Sequence, residues 1–179
     1  AEDTNFGLTL EAVEAFKAEL DQQDATTTAS SAEQTQALEE LQQKLEEREV
    51  YDNKYTTISI AAVRTSSKQL QQALDQRQAN YATELKRQLA MDAKKKEFAA
   101  AAAAFLEWCD SRKTSMHALE GEPEALIAAI NDAYKGGQPE EDRLAEISAL
   151  LAEMAGMGIT ENRHTELNMP ALRARSEQL

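Results

Sequence analysis

The side chains able to do chemistry are few in this sequence and stand apart from one another. Cys109 is the single cysteine of the 179 residues. It leaves no intramolecular disulfide to form, and a lone thiol fits a reducing cytosol. A nucleophilic thiolate needs a base beside it. Cys109, flanked by Trp108 and Asp110, belongs to no Cys/His grouping and reads as an ordinary helix residue. His117 and His164 fall in different segments without ligand spacing, so no metal site is expected. No Asp-x-Asx-x-Asx-Gly loop of the calcium-binding kind occurs. Gly136 and Gly137 precede Pro139 as a kink, not as a phosphate-binding loop. Lys94, Lys95 and Lys96 would suit an anionic lipid or a partner, yet a solvated helix face accounts for them. Trp108 with Phe105 fits a buried seam better than a binding surface. The expected catalytic, cofactor-binding and metal residues are therefore none, with no cofactor, and the chain reads as a non-enzyme.

Charge narrows the partners further. Lys and Arg total 19 against 32 Asp and Glu, a formal net charge of -13. Binding to a nucleic-acid backbone needs a basic face that displaces counterions. An anionic membrane surface needs the same. Neither nucleic acid nor membrane insertion is expected. The most apolar run, Phe98 to Trp108, is mostly alanine, is interrupted by Glu107 and is too short to cross a bilayer. The chain starts without Met and ends within an apparent helix, and reads as a fragment of something longer.

The elements that position these residues are helical throughout. Only 3 Pro and 6 Gly occur, while Ala, Gln, Glu, Leu and Lys dominate, a composition of coiled coils and long helices. Thr9 is an expected N-cap, followed by Leu10, Val13, Phe16 and Leu20 on one stripe. The pattern lapses over residues 24–31, DATTTASS, where hydroxyl and β-branched residues weaken a helix. Ser31 and Gln34 are the spacing of a capping box that restarts it, and Leu38, Leu41 and Leu45 resume the stripe. A break is expected over residues 52–59, with Ser59 as the next cap. From Ile60 to about Leu119 there is neither Gly nor Pro. At about 1.5 Å per residue, such a helix would be about 90 Å long. Val63, Leu70, Leu74, Tyr81 and Leu85 form its first stripe; Phe98, Phe105, Trp108, Arg112 and Met116 continue it after a change of phase near Met91. Gly121 and Pro123 end it. A further helix carries Leu126, Ile127, Ile130 and Tyr134, then a kink at residues 135–139, KGGQP, then Leu144, Ile147, Leu151 and Met154. Gly156 and Gly158 close that helix, and Asn168 caps the last, which contains Leu172 and Leu179.

The sequence also matches itself at an offset of 109 residues. DNKYTTISIAAV (52–63) aligns without a gap on ENRHTELNMPAL (161–172). Asn53 falls on Asn162, Lys54 on Arg163, Thr56 on Thr165 and Val63 on Leu172. Leu38, Leu41 and Leu45 meet Ile147, Leu150 and Met154, and Leu70 meets Leu179. The weak spots DATTTASS and KGGQP also correspond if the first copy carries a few inserted residues. A period near 110 exceeds that of the common helical-pair solenoids. It suits three antiparallel helices of thirty-odd residues, the third running unbroken into the next repeat.

On these motifs the chain resembles the spectrin-repeat superfamily, and within it most closely the central rod of the α-actinins. DNKYTTIS (52–59) and ENRHTELN (161–168) look like the family's loop between second and third helices. FLEWCDSRKTSM (105–116) looks like its first-helix core motif, with Trp108 at the tryptophan position. KGGQPEEDRLAEI (135–147) is similar to the kink in the second helix of an α-actinin repeat. Two departures stand out: Ser67 and Ser176 replace the third-helix tryptophan, and the first copy lacks its own first helix.

The resemblance implies an all-α, elongated rod of three-helix spectrin-type coiled-coil repeats joined by a long continuous helix. Residues 1–85 would be a partial repeat, its second and third helices. Residues 86–179 would be a repeat with its first and second helices and the start of its third. It further implies a structural rod of an actin-filament cross-linking protein, acting as spacer and antiparallel homodimerisation element. F-actin would be bound by domains outside this chain, and the setting would be the cytoplasmic cytoskeleton. Two alternatives stay open. One is a spectrin-like scaffold or linker that binds a protein partner without cross-linking actin. The other is an amphipathic bundle that opens on lipid, against which the acidic balance counts.

Overall fold

The structure is a computed structural model describing residues 5–134 and 139–178, without the side chains of Ala133, Tyr134 and Pro139. The described residues form five α-helices and no strand: α1 (Leu10–Glu46), α2 (Ile60–His117), α3 (Pro123–Tyr134), α4 (Pro139–Gly156) and α5 (Met169–Ser176). The chain divides into two compact units, Ala1–Leu89 and Ala90–Leu179. Helix α2 contributes to both and is unbroken for 58 residues, as its lack of Gly and Pro predicts.

In the first unit, Thr9 starts α1 in the way its hydroxyl allows: its backbone is extended at φ -126°, and Oγ1 accepts from the Ala12 N–H at 3.3 Å. The expected lapse at residues 24–31 does not interrupt the helix. Hydroxyls there find partners on their own helix or on α2 without taking a backbone bond from α1. Thr26 donates to the Gln22 carbonyl at 2.8 Å. Ser31 caps nothing; its Oγ pairs with Ser67 Oγ at 3.0 Å. Helix α1 lies antiparallel to the first half of α2. Tyr81 Oη donates to the Val13 carbonyl at 3.0 Å near one end, Arg77 pairs with Asp24, and Arg64 Nε donates to Glu39 at 2.6 Å towards the other. Phe6, Val13, Leu20 and Tyr81 form a buried cluster, with Phe16 and Leu85 against it. The edge of one ring meets the face of the other between Phe6 and Tyr81, 5.6 Å apart.

The internal repeat is structural as well as sequential. Helix α1 ends with Glu49 at φ +59° and Val50 N–H bonded to the Leu45 carbonyl at 2.9 Å. Helix α4 ends, 109 residues later, with Gly158 at φ +75° and Ile159 N–H bonded to Met154 at 2.9 Å. Both are left-handed helix stops of the Schellman type. In the loops that follow, Asn53 and Asn162 each accept from the N–H two residues on at 3.0 Å. Thr56 and Thr165 do the same at 3.1 Å. Ser59 and Asn168 then cap α2 and α5, accepting from Ala62 and Ala171 at 3.2 and 3.0 Å. The two stops differ in one respect: glycine tolerates the left-handed region and glutamate is strained there. Glu49→Gly should therefore stabilise the first unit by up to about 1 kcal/mol, after allowing for glycine's freedom in the unfolded chain. Gly158→Ala should cost the second unit a similar amount. Thermal unfolding followed by circular dichroism checks both, and a lower midpoint for Glu49→Gly would contradict the strain argument.

The second unit packs the later part of α2 against α4 and α5. Phe98, Ala102, Phe105 and Cys109, at spacings of four, three and four, point into one core with Ile147, Met154, Ile159 and Leu172. Ala102 is fully buried, so the alanine run lets helices approach closely there. Trp108 is not at the centre of this core, contrary to the sequence expectation. It is half-buried at the rim, stacked on Phe105 at 6.0 Å, with the guanidinium groups of Arg112 and Arg143 over its ring at 5.5 and 5.2 Å. The expected stripe of α3 is not buried either. Leu126 is half-buried, while Ile127 and Ile130 are exposed. Tyr134's side chain, the KGGQ part of the expected kink and Leu179 lie outside the described residues.

Candidate interaction groove

Among the described residues no group of three or more His, Cys, Asp or Glu could hold a metal ion. Cys109 is 1 % exposed, and burial pushes its thiol pKa up, both unfavourable to a thiolate. His117 and His164 are not brought together; His164 meets Asp92 instead. Among the described residues no helix is long and apolar enough to cross a membrane.

The lysine run and the second loop form one electrostatic cluster in the second unit. Asp92, a buried carboxylate on α2, accepts from Lys96 at 2.8 Å, from Arg163 at 2.9 Å and from His164 Nε2 at 2.8 Å. The hydrogen bonds from Lys96 and then His164 hold its pKa below the ordinary carboxylate value, against the opposing effect of burial. Asn162 Nδ2 donates to the Lys95 carbonyl at 2.8 Å. Lys94 bridges Glu97 at 2.8 Å and Glu153 of α4 at 2.7 Å, and these carboxylates push its pKa up to about 12. The run is thus not merely a solvated face. Lys94 and Lys96 are tied to carboxylates, and the cluster fastens the loop and α4 to α2. Only the Asp92–Lys96 pair, four residues apart on α2, had a local signal; Arg163 and His164 lie 71 and 72 residues away.

Among the described residues nothing is laid over the same loop in the first unit. Tyr51, Tyr55 and Ile58 are exposed, as are Leu38, Leu41 and Val50 on the adjoining end of α1. Leu38, Leu41, Leu45, Ile58, Ile60 and Val63 line a groove of about 620 Å³ between α1 and the start of α2. Its charged lining residues are Lys44 and Arg48, both cations. An apolar groove with a cationic rim can hold an amphipathic helix by its apolar face and bind acidic side chains at its edge. The aligned residues of the second copy are covered: Leu38 is 44 % exposed where Ile147 is 3 %, and Val50 44 % where Ile159 is 8 %. The leucines of α1 were visible as a stripe in the sequence. That they would lie open is not encoded in that stripe. No protein-family model matches the chain.

Proposed function

We propose that this chain is a structural segment of a spectrin-repeat-type helical rod, similar to that of the α-actinins. In this reading it serves as a spacer and an antiparallel homodimerisation element in a protein that cross-links actin filaments. The observation that carries the reading is the recurrence, 109 residues apart, of one helix stop, one Asn/Thr-stapled loop and one helix cap, with the unbroken α2 between the two loops. Modules joined through a shared helix transmit force without a hinge and set a fixed spacing. The work is therefore geometric, with no catalytic residue and no cofactor. Actin contact would belong to domains outside residues 1–179, in the cytoplasmic cytoskeleton, and the dimer interface would be isologous.

Light scattering combined with small-angle X-ray scattering tests this. The expected particle is a dimer, far longer than a sphere of its mass. A compact monomer would sink the reading. The open groove of the first unit favours a second reading, a spectrin-like scaffold that takes a partner helix without cross-linking actin. Co-sedimentation of the longer parent chain with F-actin separates the two: bundled filaments support the first, and no pelleting supports the second.

A further inference from the structure

The loop between α1 and α2 carries two exposed tyrosines: Tyr51 is 80 % exposed and Tyr55 86 %. The second copy tells them apart, because there the later part of α2 lies against the loop. The place of Tyr55 is taken by His164, whose ring is drawn onto Asp92 of α2 at 2.8 Å. Tyr51 corresponds to Thr160, which stays exposed although its neighbour Ile159 is buried. Exposure at position 51 therefore comes from the loop's own shape and does not require an empty groove. Residues 50–53 are also neither helix nor turn. Tyr55, by contrast, lies in a turn that its own N–H closes on Asn53 at 3.0 Å, with Lys54 Nζ 5.2 Å from its ring centroid. An enzyme that modifies a folded protein needs its acceptor on an exposed, non-helical stretch. Tyr51 meets that need.

The charges beside Tyr51 are one-sided. Over residues 46–52, Glu46, Glu47, Glu49 and Asp52 stand against Arg48 alone, and all are exposed. Over residues 50–56, around Tyr55, Asp52 stands against Lys54; over residues 129–135, around Tyr134, Asp132 stands against Lys135. Tyr81 is 3 % exposed, and its hydroxyl is committed to the Val13 carbonyl. The helix stop itself does not call for the three glutamates, since the second copy forms it with Ala155, Gly156 and Gly158 at the same places. One of the three sits against backbone preference: Glu49 holds φ +59° where the second copy has a glycine. Strain of this kind at an exposed loop residue points to a use for its side chain.

We propose that Tyr51 is a phosphorylation site, the acceptor for an acid-directed protein-tyrosine kinase acting on the loop between α1 and α2. Such an enzyme selects its substrate by charge, a basic groove taking the acidic residues that lead to the acceptor. ATP, bound to the kinase with Mg²⁺, is the phosphoryl donor. The bond from the γ-phosphorus to the β–γ bridging oxygen breaks and a bond from that phosphorus to Tyr51 Oη forms. The phenolic proton passes to the kinase's catalytic aspartate, and ADP leaves. The product carries about two more negative charges at pH 7. The second copy, with Thr160, has no phenol to take them, so the modification marks one copy and not the other.

The test incubates the full chain with ATP, Mg²⁺ and the catalytic domain of an acid-directed tyrosine kinase, and follows each tyrosine over time by mass spectrometry. Tyr51 should be phosphorylated about ten-fold faster than Tyr55, its equally open neighbour in the same loop. Glu46→Gln, Glu47→Gln and Glu49→Gln together should bring Tyr51 down to the rate of Tyr55. Tyr51→Phe should abolish the fast phase and leave the rate at Tyr55 unchanged. The three glutamates are exposed and lie outside both buried clusters, and an unchanged circular dichroism spectrum checks that the variants stay folded. Tyr55 modified as fast as Tyr51, or a triple variant modified at Tyr51 as fast as the native chain, overturns the proposal. So does a free peptide of residues 44–58 that reacts at Tyr51 roughly a hundred-fold faster than the folded chain, because the loop would then have to unfold before it could be modified. None of these readouts depends on actin binding or on dimerisation.

Discussion

Phe105→Ala should destabilise the second unit by about 3–5 kcal/mol, the usual cost of removing a buried phenyl ring and leaving its cavity. Phe105 is among the largest fully buried side chains, in the middle of the face formed by Phe98, Ala102 and Cys109. Ile147, Met154 and Leu172 in the same core come from α4 and α5, so the void would weaken the packing of all three helical segments. Trp108→Ala should cost less, despite the larger ring. Trp108 is half-buried, and its stacking on Phe105 and its two guanidinium contacts are each worth about 1 kcal/mol near a surface. Urea unfolding monitored by far-UV circular dichroism distinguishes them. With a slope of about 2 kcal/mol per molar urea, Phe105→Ala should move the second unit's midpoint down by about 2 M. A larger shift for Trp108→Ala would restore tryptophan to the centre of the core and refute this placement.

That contrast also marks where the sequence could be read and where it could not. Helix type and ends were legible because they depend on neighbours along the chain. The hydroxyl of Thr9, the hydroxyl of Ser59 and the amide of Asn168 cap as their types require, and α2 runs unbroken where Gly and Pro are lacking. The 109-residue match survives as matched hydrogen bonds, since Asn and Thr side chains that bond the backbone two residues on dictate the loop's shape. Composition misled at residues 24–31, because propensity counts hydroxyls against a helix without knowing that Thr26 and Ser31 find partners inside it or on α2. Trp108 misled because size suggests a core, whereas angle around the helix decides it. Phe98, Ala102, Phe105 and Cys109 keep one face, and position 108 falls beside that face. The Asp92 cluster was illegible for another reason: it joins α2 to a loop some seventy residues later, and no local pattern encodes such a pairing. Openness of the first groove was half-legible, since the leucine stripe of α1 is plain in the sequence but nothing local says which of its residues are left bare.

Asp92 supplies the second large effect. Its side chain is 8 % exposed, yet it accepts hydrogen bonds from Lys96, Arg163 and His164. Hydrogen bonds to a charged group are worth about 1.5–3 kcal/mol, so Asp92→Asn should lower the second unit's stability by about that much at pH 7. The pH dependence follows from the direction of its shift. The carboxyl titrates below its ordinary value of 3.8 in the folded protein, chiefly through the Lys96 hydrogen bond and then that from His164. The unfolded chain therefore takes up the proton first as pH falls. The carboxylate's contribution is complete above about pH 4–5 and is lost progressively as pH falls through the depressed folded value. Urea midpoints of the native chain and Asp92→Asn should differ by a constant amount from pH 5 to 7 and draw together as pH falls below about 4, meeting only once the folded carboxyl is protonated and as neutral as asparagine. A gap that closes between pH 7 and 5 would trace the effect to a group other than this carboxylate. Because Asp92 and Asn162 together hold the second loop onto α2, Asp92→Asn should also speed amide exchange at residues 161–168 more than at the matching loop 52–59, whose Asn53 and Thr56 bonds are purely local. Equal change in both loops would mean that the fastening acts elsewhere.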